Sequence, residues 1–378
     1  MFDPRVGMKI YDNVWYLRHR LEPQQAADIL ASMGVTYVMA QSKILPMQDS
    51  AIESEVTAEE QARFETLNDR AFRDALKARG IAYFASINIG FDPQFIAANQ
   101  ELLPIDQFGR REGKTDWYIG LPPDRKRNID HKLALLENAT KALAPDGVHL
   151  GFIRWPGFWE IWLPDVKRAD MPDYCYGDET LARFRDATGL DVPVSDPVAA
   201  AALIAKAHKA AWRDWKCGVT VAAVGRIRDA LRAIKPDIKI AINTLPFFLS
   251  DFDNVVEEVF GQSPSRLKEV ADVFEVMAYH QILRRPPTWP AEIATDVKRR
   301  SRSTTVSTIQ GGALYLDGMH ADRGRATEIT TDEFIGMVDG LEKSETDGLC
   351  VFTFTDFLDM RGTAEGKRRI ERLRAFRR

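Results

Sequence analysis

A glutamate set among tryptophans is the first feature of this chain that could do acid–base chemistry. In GVHLGFIRWPGFWEIW (147–162), Glu160 is flanked by Trp159, Ile161 and Trp162, just past a strand-like run. Apolar surroundings disfavour the charged form of a carboxyl group, so such a glutamate can hold its proton near neutrality and act as a general acid. Cleavage of a glycosidic bond by this chemistry takes a second carboxyl group, as nucleophile or as base for water. Asp356, in TFTDF at the end of the last strand segment, and Glu275, in DVFEVMAYHQ, are the candidates. Period-two alternation puts Glu275 on one strand face with Met277 and Tyr279. An ion pair with Arg154 is its competing, structural role, because a buried glutamate needs a partner. Asp12 is a further candidate, and Asp178 reads as the N-terminal cap of ETLARFRDATG.

Around these carboxylates the sequence offers groups suited to a hydroxylated ligand. Sugar rings present flat C–H faces to aromatic side chains, while Trp N–H and Tyr O–H groups supply polar contacts. Trp155 and Trp159 follow a strand directly and are expected to meet the ligand. Trp162, Tyr174 and Tyr176 fit a ligand platform or a satellite core equally well, and Trp117 and Tyr118 lie in the preceding loop. Strand ends add Asp12, Gln41, Asn88, Arg154, Asn243, Tyr279, His280, Gln310 and Asp356, a ring rich in hydrogen-bonding groups and nearly free of lysine.

Positioning such a ring requires a scaffold that brings many strand ends together. Strand and helix signals alternate along the whole chain. Strand segments are GMKIYDNVWYL, VTYVMAQS, IAYFASINIG, VHLGFIRW, IKIAINTLPF, DVFEVMAYHQ, TTVSTIQGG and LCVFTFTDF. They are short and rich in Val, Ile and Phe, as strands covered on both faces are. Helical segments between them include PQQAADILASMG, one long amphipathic run TAEEQARFETLNDRAFRDALKARG (57–80), SPSRLKEVA, and a stretch from 195 to 237 expected to divide near Cys217 and Gly218. Eight strands, each followed by a helix, predict an α/β fold, a single (β/α)8 TIM barrel with elaborated βα loops spanning residues 1–378 as one catalytic domain. No glycine-rich dinucleotide or phosphate loop follows any strand.

Bulk properties narrow the partners. A net charge of −4 over 378 residues and a pI near 6.0 argue against nucleic acid or an anionic membrane as partner. The basic terminus KRRIERLRAFRR carries Ile370, Leu373 and Phe376 at helical spacing, which makes its charges one face of a terminal helix. Three cysteines without a CxxC pair predict neither a disulfide framework nor a structural zinc site. His131, His149, His208, His280 and His320 show no HxH or HExxH spacing, so no metal and no cofactor is expected. The first residues lack the basic start and apolar core of a signal peptide, so a cytoplasmic location is expected, or a secreted or periplasmic one if a leader has been removed.

The run APDGVHLGFIRWPGFWE (144–160), followed by DYCYGDETLARFRDATGLDVP (173–193), resembles a family of TIM-barrel glycoside hydrolases with a DGIHLDYIRYP-like fourth strand and a cysteine-rich YCYC segment. DVFEVMAYHQ is similar to that family's MxYH strand and to the MxYD strand of chitinase-type enzymes. DALRAIKPDIKIAI (229–242) resembles the family's passage into strand five. The resemblance spans residues 115–358 and implies a carbohydrate-active barrel. The chain departs from it at Gly151, where the family carries an aspartate, and at Gly177 and Thr180, where it carries cysteines.

The expected function is therefore hydrolysis of a glycosidic bond in an oligosaccharide, polysaccharide or glycoconjugate. Glu160, Asp356 and Glu275 are the catalytic candidates, with Asp12, Asn88, Arg154, Trp155, Trp159, Asn243, Tyr279, His280 and Gln310 binding the sugar. Two alternatives stand beside it: a sugar-binding barrel without hydrolysis, motivated by Gly151, and a lyase or isomerase acting on a sugar derivative. Self-association is left open.

Overall fold

The computed structural model describes residues 2–45, 56–318, 321 and 323–377. Eight parallel strands close into a barrel: β1 (Val6–Ile10), β2 (Tyr37–Ala40), β3 (Ala82–Asn88), β4 (Gly147–Gly151), β5 (Lys239–Thr244), β6 (Val273–Met277), β7 (Thr304–Gln310) and β8 (Gly348–Phe352). Each strand pairs with the next, and β1 closes on β8 with Gly7 beside Cys350. The predicted (β/α)8 fold is the one observed.

Alternation along the strands sorts residues into an outer shell and an interior. Outward residues such as Val6, Met8, Val38, Val148, Ile240 and Phe274 join the main core against the helices. The interior is layered. Tyr37, Met39, Phe84, Ala241, Val273, Val306 and Cys350 form an apolar plug at its base, which Phe2 packs against. Two residues further along the strands, Lys9, His149, Glu275 and Thr308 form a polar layer. Above it lie Tyr11, Asn88, Asn243, Met277, Tyr279 and Phe352, which line a cavity at the carboxyl ends of the strands.

Helices differ from expectation in four places. The run 57–80 is two helices, Ala58–Thr66 and Asp69–Lys77. Leu67 leaves helical geometry, and the Asn68 side chain accepts from the Ala71 N–H to start the second helix. The helix Lys209–Ile234 runs unbroken through Cys217 and Gly218, while a wider turn, Ile204–His208, separates it from Pro197–Leu203. SPSRLKEVA forms only the single turn Pro264–Leu267. Gly177, not Asp178, caps Asp178–Thr188. The terminal helix Ala364–Arg374 buries Leu373 and tucks in Arg369, whose guanidinium bonds Thr331 and the carbonyls of Gly311 and Ile329. Among the described residues no helix is long and apolar enough to cross a membrane.

Candidate active site

The cavity over the strand ends measures about 450 Å³. Its floor is Lys9, Tyr11, Asn243, Met277 and Tyr279; its walls include Phe91, Trp117, Phe152, Trp159, Tyr315 and Phe352. Among the described residues three carboxylates line it: Glu160, Asp12 and Asp116.

Glu160 reaches the cavity because the chain after β4 turns back over the barrel. Trp159–Ile161 forms one tight turn, with the Trp159 ring 6.0 Å from Tyr279 and 6.4 Å from Phe247. The Arg325 guanidinium fastens this turn, donating to the Glu160 carbonyl at 2.8 Å and to the Ile282 carbonyl at 2.8 Å. The Glu160 side chain is buried, and its Oε2 has no hydrogen-bond partner among the described residues. Burial pushes its pKa up to about 7, against the opposing pull of Arg154 and Arg325, and the Asp116 charge adds to the rise. A carboxyl group in this state carries a transferable proton near neutral pH.

Asp12, just beyond β1, is fixed by its neighbours. Its carboxylate accepts from Thr355 Oγ1 at 2.8 and 3.0 Å and from the Val14 N–H at 3.0 Å. Burial raises its pKa and these hydrogen bonds oppose the rise. Asp116 stands beside Trp117, whose Nε1 donates to Tyr315 Oη at 3.0 Å and so joins the loops before β4 and after β7. Asn243 lines the floor with its Oδ1 unpartnered among the described residues, and Asn88 and Tyr279 line it as well.

Several expected site residues lie elsewhere. Glu275 is fully buried in the polar layer and does not line the cavity. Its partner is not Arg154: Lys9 Nζ stands 2.9 Å from one oxygen, His149 Nε2 lies 3.1 Å from the other, and Thr308 also bonds it. Burial alone would raise the Glu275 carboxyl, but Lys9 and His149 outweigh it and hold the pKa down to about 2. Asp356 is corrected from a rim carboxylate to a helix cap: with Thr353 it forms a capping box on Phe354–Met360, accepting from the Thr353 N–H at 2.8 Å. Trp155 is fully buried away from the cavity, its Nε1 donating to the Lys216 carbonyl at 3.0 Å. Tyr176 packs 5.4 Å from Trp212 in a satellite core. His280 pairs with Glu333 at 2.8 Å, and Gln310 bonds Gln281 at 3.0 Å; neither lines the cavity. His320 lies outside the described residues.

Sequence reasoning passed over Asp116, Lys9, Tyr11, Phe152 and Tyr315. A signal existed for two of them. Asp116 adjoins Trp117 in KTDWY, and Lys9 breaks the apolar pattern of the first strand on its inward face. Among the described residues no three His, Cys, Asp or Glu side chains converge as a metal-binding set.

No family model matches the chain, and no curated protein matches it. Solved structures do share its fold. The catalytic domain of β-amylase from Paenibacillus polymyxa superposes with a TM-score of 0.61 at 12% identity, covering 100% of this chain and 99% of that one. The β-galactosidase from Bacillus circulans sp. alkalophilus gives 0.62 at 12% identity, with 100% of this chain and 56% of that one covered. An α-L-fucosidase, isoenzyme 2 from Paenibacillus thiaminolyticus, gives 0.57 at 12%, covering 99% and 49%. The chain thus spans about half the length of the galactosidase and fucosidase chains and nearly all of the amylase domain. At this identity the likeness establishes the fold alone, the closed parallel (β/α)8 barrel.

Proposed function

We propose that this barrel is a glycoside hydrolase in which Glu160 protonates the leaving oxygen. The observation that carries the reading is a buried carboxyl group with a pKa near 7 and an unpartnered oxygen, set in an aromatic-walled cavity at the carboxyl ends of the strands. Trp117, Trp159 and Tyr315 offer faces for a sugar ring, and Asn243 and Tyr279 offer polar contacts. The second carboxylate is Asp116, close enough for its charge to act on Glu160. Solved neighbours that cleave different sugars on the same fold support the reaction class and leave the sugar open.

The test is hydrolysis of a panel of aryl glycosides and oligosaccharides by the wild type and Glu160→Gln. Turnover should fall on the order of 10²–10⁴-fold while saccharide binding persists. Unchanged turnover in the variant sinks the assignment. A binding-only barrel is the second reading, favoured by one observation: Asn88 occupies the space beside Gly151 where the resembled family places an aspartate. Saturable saccharide binding by the wild type with no release of reducing ends would establish it instead.

A further inference from the structure

Arg154 is a buried cation that the protein leaves largely unsatisfied. It follows β4 by three residues, is 2% exposed and lines the cavity together with Glu160. Its guanidinium lies over the Phe152 ring at 4.7 Å, with the Tyr118 and Phe260 rings at 5.8 and 6.0 Å. Among the described residues its only hydrogen bond is a long one, 3.5 Å from Nη2 to the Gly157 carbonyl, and Nε and Nη1 have no partner there.

The other buried arginines show what satisfaction looks like in this chain. Arg125 meets Asp124 at 2.9 Å and Thr180 at 3.0 Å; Arg325 bonds two carbonyls, and Arg369 bonds two carbonyls and a hydroxyl. An arginine cannot shed its charge, so a buried one without acceptors is costly unless something arrives to accept from it. The carboxyl groups that act on Arg154 are Glu160 and Glu112, and neither makes a hydrogen bond to it. Both are held toward their neutral forms by burial, which leaves the guanidinium without a full counter-charge. Lys9, the other cation of the cavity, is already engaged by Glu275 and Tyr279.

We infer that the saccharide bound beside Glu160 carries a carboxylate, which the Arg154 guanidinium receives. The inference rests on the reading of the cavity as a sugar site. An aromatic ring against the guanidinium face leaves approach in its plane, the geometry in which a planar carboxylate accepts paired N–H bonds. The substrate class is accordingly a uronic acid glycoside, not a neutral sugar.

Calorimetry on full-length Glu160→Gln tests this, with D-glucuronate, D-galacturonate and D-mannuronate each set against its neutral parent sugar, and glucose 6-sulfate as a non-planar anion. At least one uronate should bind ~10-fold or more tighter than its parent, since charge-assisted hydrogen bonds are at stake. Adding Arg154→Gln should collapse that preference toward unity, with Arg154→Lys, which keeps the charge and loses the fork, falling between. The preference in the Glu160→Gln protein stands as a test even where the Arg154 variants fold poorly. No uronate binding, equal binding of acid and parent, tighter binding of the sulfate, or a preference that survives Arg154→Gln overturns the inference. Glu160-dependent turnover of neutral glycosides without such a preference ends this inference and leaves the hydrolase. Uronate preference with no turnover by the wild type ends the hydrolase and leaves this inference.

Discussion

The side-chain oxygen of Asn88 stands 2.6 Å from the point a Cβ at Gly151 would occupy. Strands β3 and β4 pair these two residues directly, so an aspartate at 151 and an asparagine at 88 contend for one space above the polar layer. Gly151→Asp alone should cost about 1–3 kcal/mol, the usual penalty for overfilling a packed interior. Asn88→Ala in the same chain should return much of it, because the pair is in contact and the two effects are not additive. Urea midpoints of the single and double variants measure the coupling. Additive losses would show that Asn88 moves aside freely.

Glu160 ties both rate and stability to its proton, and both fall as pH rises. As a general acid it must be protonated, so kcat/KM should fall as pH rises through about 7, and the falling limb should vanish in Glu160→Gln. Its folded-state pKa is raised from 4.5 to about 7, so between those values the folded chain binds more protons than the unfolded one. Stability contributed by this group is therefore lost as pH rises across that window. Glu160→Gln should accordingly be more stabilising at pH 8 than at pH 4, by roughly 1–3 kcal/mol. Thermal midpoints of both proteins at the two pH values check the sign. A gap that does not widen toward pH 8 would place the glutamate outside the apolar site described.

The Lys9–Glu275 pair carries the reverse linkage. Glu275 is depressed from 4.5 to about 2, so its contribution is present above pH 4.5 and fades as the solution is acidified toward 2. Lys9, pushed down by burial but raised overall by Glu275, contributes fully below its unfolded value of 10.5. Glu275→Gln leaves a buried ammonium without its counter-charge and should cost about 3–5 kcal/mol at pH 7. The double change Lys9→Met, Glu275→Leu should be far milder than the single one. Equal losses from the two would mean the pair is not the unit that matters.

The barrel was legible because each strand is an apolar run followed by an amphipathic one, a rhythm set by local burial on two faces. The place of Glu160 at the cavity was legible for a similarly local reason: it lies in an aromatic run that directly follows a strand. Glu275 shows where such reading stops. Its burial followed from alternation, but its partner sits on β1, across the barrel, and the height at which non-adjacent strands meet depends on tilt and register. Asp356 misled because TFTD carries two meanings, a carboxylate at a strand end and a Thr-x-x-Asp helix start. Asp116 lies in a stretch without periodicity, and its one local signal, the adjoining Trp117, does not by itself place it at the cavity.

That ambiguity among carboxylates can be resolved by three asparagine variants compared side by side. Asp116→Asn removes the charge that acts on Glu160 and should lower kcat on the order of 10³-fold, with turnover of activated aryl glycosides partly restored by azide if Asp116 is the nucleophile. Asp12→Asn alters a cavity wall whose oxygens are already engaged by Thr355 and Val14, and should raise KM more than it lowers kcat. Asp356→Asn weakens a capping box, costing about 0.5–2 kcal/mol of stability while kcat stays within about twofold. A larger kcat loss at Asp12 than at Asp116 transfers the second catalytic role to β1. Loss at Asp356 without loss of stability would return it to the rim, against the hydrogen bonds that tie it to Thr353.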